Sequence, residues 1–207
     1  MGVAVFGGSF DPLHIGHLHV AESARGISWV DTVYFVPAGR PPHKRLSGSA
    51  DSRTRLAIIH ACIAERPYLD VLDWELSHTE PSYTFPTIER IRRETPDQEP
   101  VGLIVGTDLL QDFASWHNWE ALLSMVTLLL TRHPTGDDPR SFLTEDYLKS
   151  VPAALRAGIQ SAVVIDHVPL PVSSTVIRSR IQQGLNVRDL VPPAAWQIIQ
   201  HRRLYSL

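Results

Sequence analysis

Residues 3–21 read VAVFGGSFDPLHIGHLHVA, and the fold is decided here. Val3–Phe6 is a short apolar run with β-branched residues, which predicts a strand. Gly7 and Gly8 follow; glycine permits positive φ and lets backbone approach a ligand closely. After Asp11-Pro12 comes His14-x-Gly16-His17, and a helix is predicted over Gly16–Arg25. A strand, a glycine turn and a helix start gather free N–H groups at the positive end of a helix dipole, which is an anion site. His14 and His17 stand three apart, so a helical turn puts them on one face, and Gly16 leaves that face open. Two imidazoles there suit a polyphosphate. Neutral or charged, they donate hydrogen bonds to phosphate oxygens, and charged they also offset its negative charge.

The same alternation continues along the chain. Strands are predicted over Val3–Phe6, Thr32–Val36, Val71–Glu75, Val101–Val105, Val126–Thr131 and Ala162–His167. Helices are predicted over Gly16–Arg25, Ser52–Glu65, Thr84–Glu94, Leu109–Phe113, Trp119–Met125, Ala153–Ala157, Thr175–Gln183 and Ala194–Arg203. Near-continuous apolar strands alternating with helices imply an α/β fold, a Rossmann-like parallel sheet with helices on both faces. Such sheets bind ligands beyond the carboxyl ends of their strands, at a topological switch point. No linker marks a second domain, so residues 1–207 are expected to form one domain, with a small helical subdomain from about residue 170. The stretches Pro37–Asp51 and His133–Pro152 exceed ordinary connections and are candidates for function.

Composition narrows the classes. The 207 residues are 43% hydrophobic and 20% charged, with a net charge of -3 and a pI of about 6.3. That gives no global basic footprint for nucleic acid or a membrane surface. No apolar stretch approaches the roughly 18 residues of a membrane span, and the first residues lack the basic region of a signal peptide. Of the 19 basic residues 17 are Arg and only two, Lys44 and Lys149, are Lys, so a lysine inside a motif carries weight. Cys62 is the only cysteine, which excludes an intrachain disulfide and fits a cytoplasmic place. It lies in RLAIIHACIAE at helical spacing and is expected to be a packed core thiol.

Other readings of the histidines compete. His14, His17 and His19 as zinc ligands lack a second ligand cluster, so no metal site is expected; they could also be helix-cap histidines. The glycine spacing is not GxGxxG, and no GK[ST] of a Walker A loop occurs.

The string GGSFDPLHIGH, residues 7–17, resembles the signature of the HxGH nucleotidyltransferases, which transfer a nucleotidyl group from a nucleoside triphosphate to a phosphate acceptor. That family's partner motif, roughly S-x-T-x-I-R, is matched by Ser173-Ser174-Thr175-Val176-Ile177-Arg178. Hydroxyl residues there cap a helix start, and Arg178 one turn later can grip phosphate oxygens bidentately. Alone, this stretch would equally read as a capped surface helix with a solvated arginine.

Four features resemble the bacterial nicotinate-nucleotide adenylyltransferases. They are Pro41-Pro42-His43-Lys44; Ser82-Tyr83-Thr84-Phe85-Pro86-Thr87-Ile88; Gly106-Thr107-Asp108 followed by Phe113, Trp116 and Trp119; and the tail VPPAAWQIIQHRRLY, residues 191–205. The resemblance implies adenylyl transfer from ATP to nicotinate mononucleotide, giving deamido-NAD and pyrophosphate. It implies a triphosphate held by His14 and His17, with Gly7, Gly8, Ser9 and Phe10 offering backbone groups and Ser173, Thr175 and Arg178 meeting the β,γ-phosphates. His14, His17, Lys44 and Arg178 would be catalytic, Lys44 closing on phosphate from its loop. Gly106 and Asp108 would serve the nucleotide, Asp108 through a ribose or Mg²⁺, a role compatible with its also capping the next helix. Ser9, Lys44, Tyr83, Thr84, Thr87 and Trp116 would receive the acceptor, helix-start N–H groups taking its carboxylate and Trp116 stacking on its ring. Against that, Phe113, Trp116 and Leu123 are spaced to pack as a core stripe. Mg²⁺ is expected on the ATP phosphates, with neither nucleic acid nor membrane as partner and self-association left open.

Two positions depart from the family pattern. Pro86 stands where its SYTxDTL motif has aspartate, and Arg132-His133-Pro134-Thr135-Gly136 replaces an Arg-Pro-Gly, so carry-over at Arg132 is insecure. Competing functions are adenylyl transfer to nicotinamide mononucleotide or phosphopantetheine, and a nucleotide-binding regulator without turnover.

Overall fold

The computed structural model describes residues 1–39, 50–77, 81–132 and 144–206. Six strands form one sheet: β1 (Gly2–Gly8), β2 (Val30–Pro37), β3 (Leu69–Val71), β4 (Val101–Gly106), β5 (Thr127–Thr131) and β6 (Val163–Val164), in the order β3-β2-β1-β4-β5-β6. β1 pairs parallel with β4 from Val3↔Val101 to Val5↔Leu103, β4 with β5, and β5 with β6. The strand order reverses between β1 and β4, which is the switch point of such a sheet. Val3, Ala4 and Val5 are all buried, as are Leu128, Leu129 and Leu130. Consecutive burial means both faces of these strands are covered, which is why they read as apolar runs without alternation.

Among the described residues the helices are α1 (Ile15–Ala24), α2 (Ser52–Ile63), α3 (Thr84–Glu94), α4 (Trp119–Met125), α5 (Glu145–Ser150), α6 (Ala153–Gln160), α7 (Ser174–Gln182) and α8 (Pro193–His201). α2 starts where Asp51 Oδ1 accepts the Thr54 N–H at 2.8 Å. Two compact units emerge. The first comprises Met1–Phe6, Val20–Tyr34 and Tyr83–Pro169; the second comprises Gly7–His19, Phe35–Ser82 and Leu170–Leu207. In the first, Ile88, Ile104, Leu122, Leu129 and Leu155 are core; in the second, Phe10, Phe35, Ile58, Ile59 and Ile177 are. The C-terminal stretch therefore shares its unit with the segment carrying both histidines.

Four expectations change. The third strand is Leu69–Val71, not Val71–Glu75; Leu72 still donates to the Phe35 carbonyl at 2.9 Å, but Leu76 then donates to Asp73, turning the chain into a 3-10 helix over Trp74–Ser77. The segment predicted as a helix over Leu109–Phe113 is a 3-10 helix, Thr107–Ser115. Its buried residues Thr107, Leu110 and Phe113 recur every third position, the 3-10 period. The strand predicted over Ala162–His167 is only Val163–Val164; Ile165 still donates to the Leu130 carbonyl at 2.9 Å, and the buried His167 Nδ1 lies 3.1 Å from the Ile165 carbonyl. Finally, α5 lies in the stretch read as a loop. Thr144 caps it at the Tyr147 N–H, 3.2 Å, and Glu145 pairs with Lys149 one turn on.

Cys62 is buried on α2, where burial pushes its thiol up to about 12, in keeping with a packed core thiol. None of the described helices is long and apolar enough to cross a membrane.

Leu129 is fully buried in β5 between Ile104 of β4 and Val163 of β6, and it fills the space left by Gly102, where a Cβ would come within 2.6 Å of its Cδ1. Leu129→Ala should lower unfolding free energy by about 2–5 kcal/mol in urea denaturation. A loss under about 1 kcal/mol would show that this part of the sheet core closes over the cavity.

Candidate active site

β1 runs straight through Gly7 and Gly8, so neither glycine takes a positive φ. The left-handed residue in the turn is Phe10, at φ 45. A bulky side chain there stores strain, on the order of 1–3 kcal/mol. Its surroundings hold it: Phe10 is buried, with edge-to-face contacts to Phe35 at 5.3 Å and His17 at 5.0 Å. Gly8 is needed for a different reason than φ, since a Cβ would press on the Phe10 ring at 3.0 Å. Arg55 fastens the turn from α2. It is 1% exposed, and it donates to the Ser9 carbonyl at 2.7 Å and the Ala38 carbonyl at 2.8 Å. Ala38 donates in turn to the Gly8 carbonyl at 2.9 Å.

His14 and His17 stack with centroids 3.6 Å apart and planes 21° apart. The His14 N–H points at His17 Nδ1 at 3.3 Å, and the His17 N–H at His14 Nδ1 at 3.4 Å. With both Nδ1 atoms accepting, each ring carries its proton on Nε2 and is a donor there. Gly16 makes the stack possible, because a Cβ would stand 3.1 Å from the His14 ring and 2.9 Å from Val172. Burial lowers the His14 pKa to about 4. Burial and then the neighbouring His14 hold His17 well below its ordinary value. The pair is therefore neutral near pH 7.

The C-terminal motif joins this turn. Ser173 caps α7 at the Val176 N–H, 3.2 Å. Ser174 donates to the Pro12 carbonyl at 3.0 Å, and Arg178 Nη1 to the Asp11 carbonyl at 2.7 Å, across 162 and 167 residues of sequence. Arg178 Nη2 also reaches Thr175 Oγ1 at 3.3 Å. Ser9, Phe10, His14, His17, Ser173, Thr175 and Arg178 thus belong to one unit, which holds the starts of α1 and α7 and, among these seven residues, one cation, Arg178. Helix starts and a guanidinium can bind an anion and stabilise charge.

Gly106, Asp108, Tyr83, Thr84, Thr87 and Trp116 belong to the other unit. Gly106 ends β4, and Asp108 sits exposed in the first 3-10 turn, its carboxylate lying where a Gly106 Cβ would be; Gly106, not Asp108, is the capping position. α3 opens at Thr84 after Tyr83, whose side chain makes no cap hydrogen bond. Pro86 sits in that first turn without disturbing the helix. Thr87 is buried and donates to the Tyr83 carbonyl at 3.4 Å. Tyr83 stacks on His117 at 4.8 Å, and Trp116 on the buried Phe113 at 4.7 Å. Trp116 is half-buried and Leu122, not Leu123, is the fully buried leucine of α4. Lys44 and its Pro41–Lys44 motif lie outside the described residues, as do residues 133–136 after Arg132. The Arg132 Nε is buried with no hydrogen-bond partner among the described residues. Among the described residues no three His, Cys, Asp or Glu side chains cluster as a metal site.

Sequence reasoning passed over Asp11, Arg55, Ser174 and His117. Asp11 and Ser174 sat inside the quoted motifs and could have been found there. Arg55 carries no local signal, because its partners come from the turn at Ser9 and the end of β2.

Residues 5–180 match the cytidylyltransferase-like family. A "Probable nicotinate-nucleotide adenylyltransferase" of Synechococcus sp. (strain JA-3-3Ab) is 36% identical over 98% of this chain and 94% of its own. One of Pectobacterium atrosepticum, with the same description, is 34% identical over 98% of both. The Plasmodium falciparum nicotinic acid mononucleotide adenylyltransferase, solved complexed with NaAD, superposes with a TM-score of 0.78 at 18% identity, covering 99% of this chain and 97% of that one.

The buried neutral histidines set a pH dependence. The unfolded chain protonates His14 below about 6.5, whereas the folded one resists until about 4. Stability is therefore complete above pH 6.5 and falls as pH drops toward 4, by on the order of 3 kcal/mol from His14. Urea denaturation between pH 7.5 and 4.5 should show this fall, made shallower in His14→Gln. Parallel curves for the two proteins would contradict a buried neutral imidazole.

Proposed function

The chain belongs to the cytidylyltransferase-like family and, within it, to the nicotinate-nucleotide adenylyltransferases, and we infer from this that it joins the adenylyl group of ATP to nicotinate mononucleotide. The observation that carries the reading is the stacked His14–His17 pair in one unit with Arg178, tied through the Asp11 carbonyl. An oxygen of the acceptor phosphate attacks the α-phosphorus. A new P–O bond forms, the α–β bridging P–O bond breaks, and pyrophosphate leaves with its electron pair. The nucleophile is already ionised, so no protein base is required, and catalysis is positioning and charge stabilisation.

The chain's own residues divide that work. The Nε2–H groups of His14 and His17 donate to triphosphate oxygens as neutral imidazoles. Positive charge must then come from elsewhere, from Arg178 and, by the resemblance, Lys44. Ser173 acts through the helix start it caps, while Thr175 and Arg178 meet the β,γ-phosphates. Gly7, Gly8, Ser9 and Phe10 offer backbone groups; Gly106 and Asp108 serve the nucleotide. Tyr83, Thr84, Thr87 and Trp116 receive the acceptor, with the α3 N–H groups taking its carboxylate. A Mg²⁺ ion would be held by the triphosphate oxygens of ATP. Its chemistry there would be to offset phosphate charge.

Pyrophosphate release with ATP, Mg²⁺ and each acceptor tests the function. Wild type should turn over nicotinate mononucleotide, and His17→Ala should keep its fold and lose about 10²–10³ in kcat. Turnover of a folded His17→Ala within about threefold of wild type would remove the histidines from the triphosphate site.

Selectivity follows from the acceptor's carboxylate. A few charge-assisted bonds from the α3 start are enough for at least about tenfold in kcat/KM over the amide. Pro86 offers no N–H but also brings no negative charge. Equal efficiency with both acceptors would reassign the chain as a dual-specificity enzyme.

A further inference from the structure

Asp11 has no exposure to water. Its Oδ1 accepts the Ala50 N–H at 3.0 Å and the Tyr205 hydroxyl at 2.7 Å. Its Oδ2 has no hydrogen-bond partner among the described residues and stands 3.9 Å from Arg178 Nη1. A charged N–H···O⁻ contact normally closes to about 2.7–2.9 Å. Arg178 Nη1 instead spends its bond on the carbonyl of the same residue, Asp11, at 2.7 Å. This is an ion pair held open. The buried cation Arg55 feels the Asp11 charge, but its Nη atoms donate to the Ser9 and Ala38 carbonyls and no hydrogen bond joins it to Asp11 among the described residues.

The holding group comes from the end of the chain. After α8, Arg203 and Tyr205 both take left-handed backbone, φ 50 and φ 63. Two such residues are strained and persist only when their surroundings demand it. Arg202 bonds the Thr54 hydroxyl at 2.6 Å, and the half-turn after it delivers Tyr205, 7% exposed, onto Asp11. Burial and then the charge of Asp11 push the Tyr205 phenol far above its ordinary pKa, so it remains a donor.

We propose that Tyr205 is a positioning residue for Arg178: its hydroxyl holds the buried Asp11 carboxylate off the guanidinium and so keeps the guanidinium open to a phosphate. This rests on the reading of Arg178 as a phosphate grip. Without the hydroxyl, Oδ1 loses its shortest donor, and a buried carboxylate short of donors turns to the nearest cation. The closed Asp11–Arg178 pair then competes with the ligand.

The test is calorimetric titration of the full chain with Mg-ATP, together with steady-state kinetics. Tyr205→Phe should weaken ATP binding and raise its KM about tenfold, with the acceptor's KM changed less than about twofold. In an Asp11→Asn background, where no charge can close on Arg178, adding Tyr205→Phe should cost less than about twofold. A purely structural role would lower thermal stability without producing this coupling. Folded Tyr205→Phe binding ATP within about twofold of wild type overturns the proposal, as does an equal loss in both backgrounds. Should Tyr205→Phe not fold, Asp11→Asn decides: it keeps Oδ1 for both donors and should tighten ATP binding, while weakening beyond about threefold overturns the proposal. A wild-type chain that binds no ATP would instead overturn the assignment of function.

Discussion

A carboxylate sealed from water must be satisfied by the protein around it, and Asp11 imposes that demand on the unit holding the histidines. It recruits the N–H of Ala50 just before α2 and the hydroxyl of Tyr205 after α8, while its own carbonyl takes Arg178 from α7. Those partners lie 39, 194 and 167 residues away. One buried residue thus fixes the turn after β1 relative to three helices of its unit. Arg55 does the complementary task with donors, fastening Ser9 and Ala38 from the opposite charge type. The strained Phe10 backbone between Ser9 and Asp11 is held by these bonds on either side and by its aromatic neighbours.

The electrostatics of the site follow from packing. Stacking two imidazoles 3.6 Å apart and burying them makes a second proton costly, so both stay neutral. Neutral rings still donate from Nε2, because each Nδ1 is occupied by the partner's backbone N–H. On the proposed reading, the α1 side supplies neutral donors and the α7 side a guanidinium, Arg178. A guanidinium keeps its charge across the working pH range, which a histidine cannot.

In the other unit, α3 starts after Tyr83, whose side chain does not cap it. Pro86 fits its first turn, where a missing N–H costs no helical bond. The neighbouring aromatics pair off as Tyr83 on His117 and Trp116 on Phe113, so Trp116 is at once part of a packed stripe and partly open.

The sequence by itself determined the α/β class, α3 and α4 to the residue, and the shared face of His14 and His17, because periodicity, caps and i,i+3 spacing are local properties. It did not disclose α5, because the Pro and Gly content around Thr144, Glu145 and Lys149 reads as loop. Tertiary structure decided what depends on distant partners. Positive φ fell on Phe10 and not on the glycines, since Gly7 and Gly8 continue a paired strand and the aromatic cluster holds Phe10 in its place. The third strand stopped at Val71 because the chain turned at Asp73, which the apolar residues Val71, Leu72 and Trp74 do not reveal. The roles of Asp11, Arg55 and Tyr205 exist only where turn, helices and tail converge, since a hydrogen bond between residues 194 apart leaves no periodic trace in the chain.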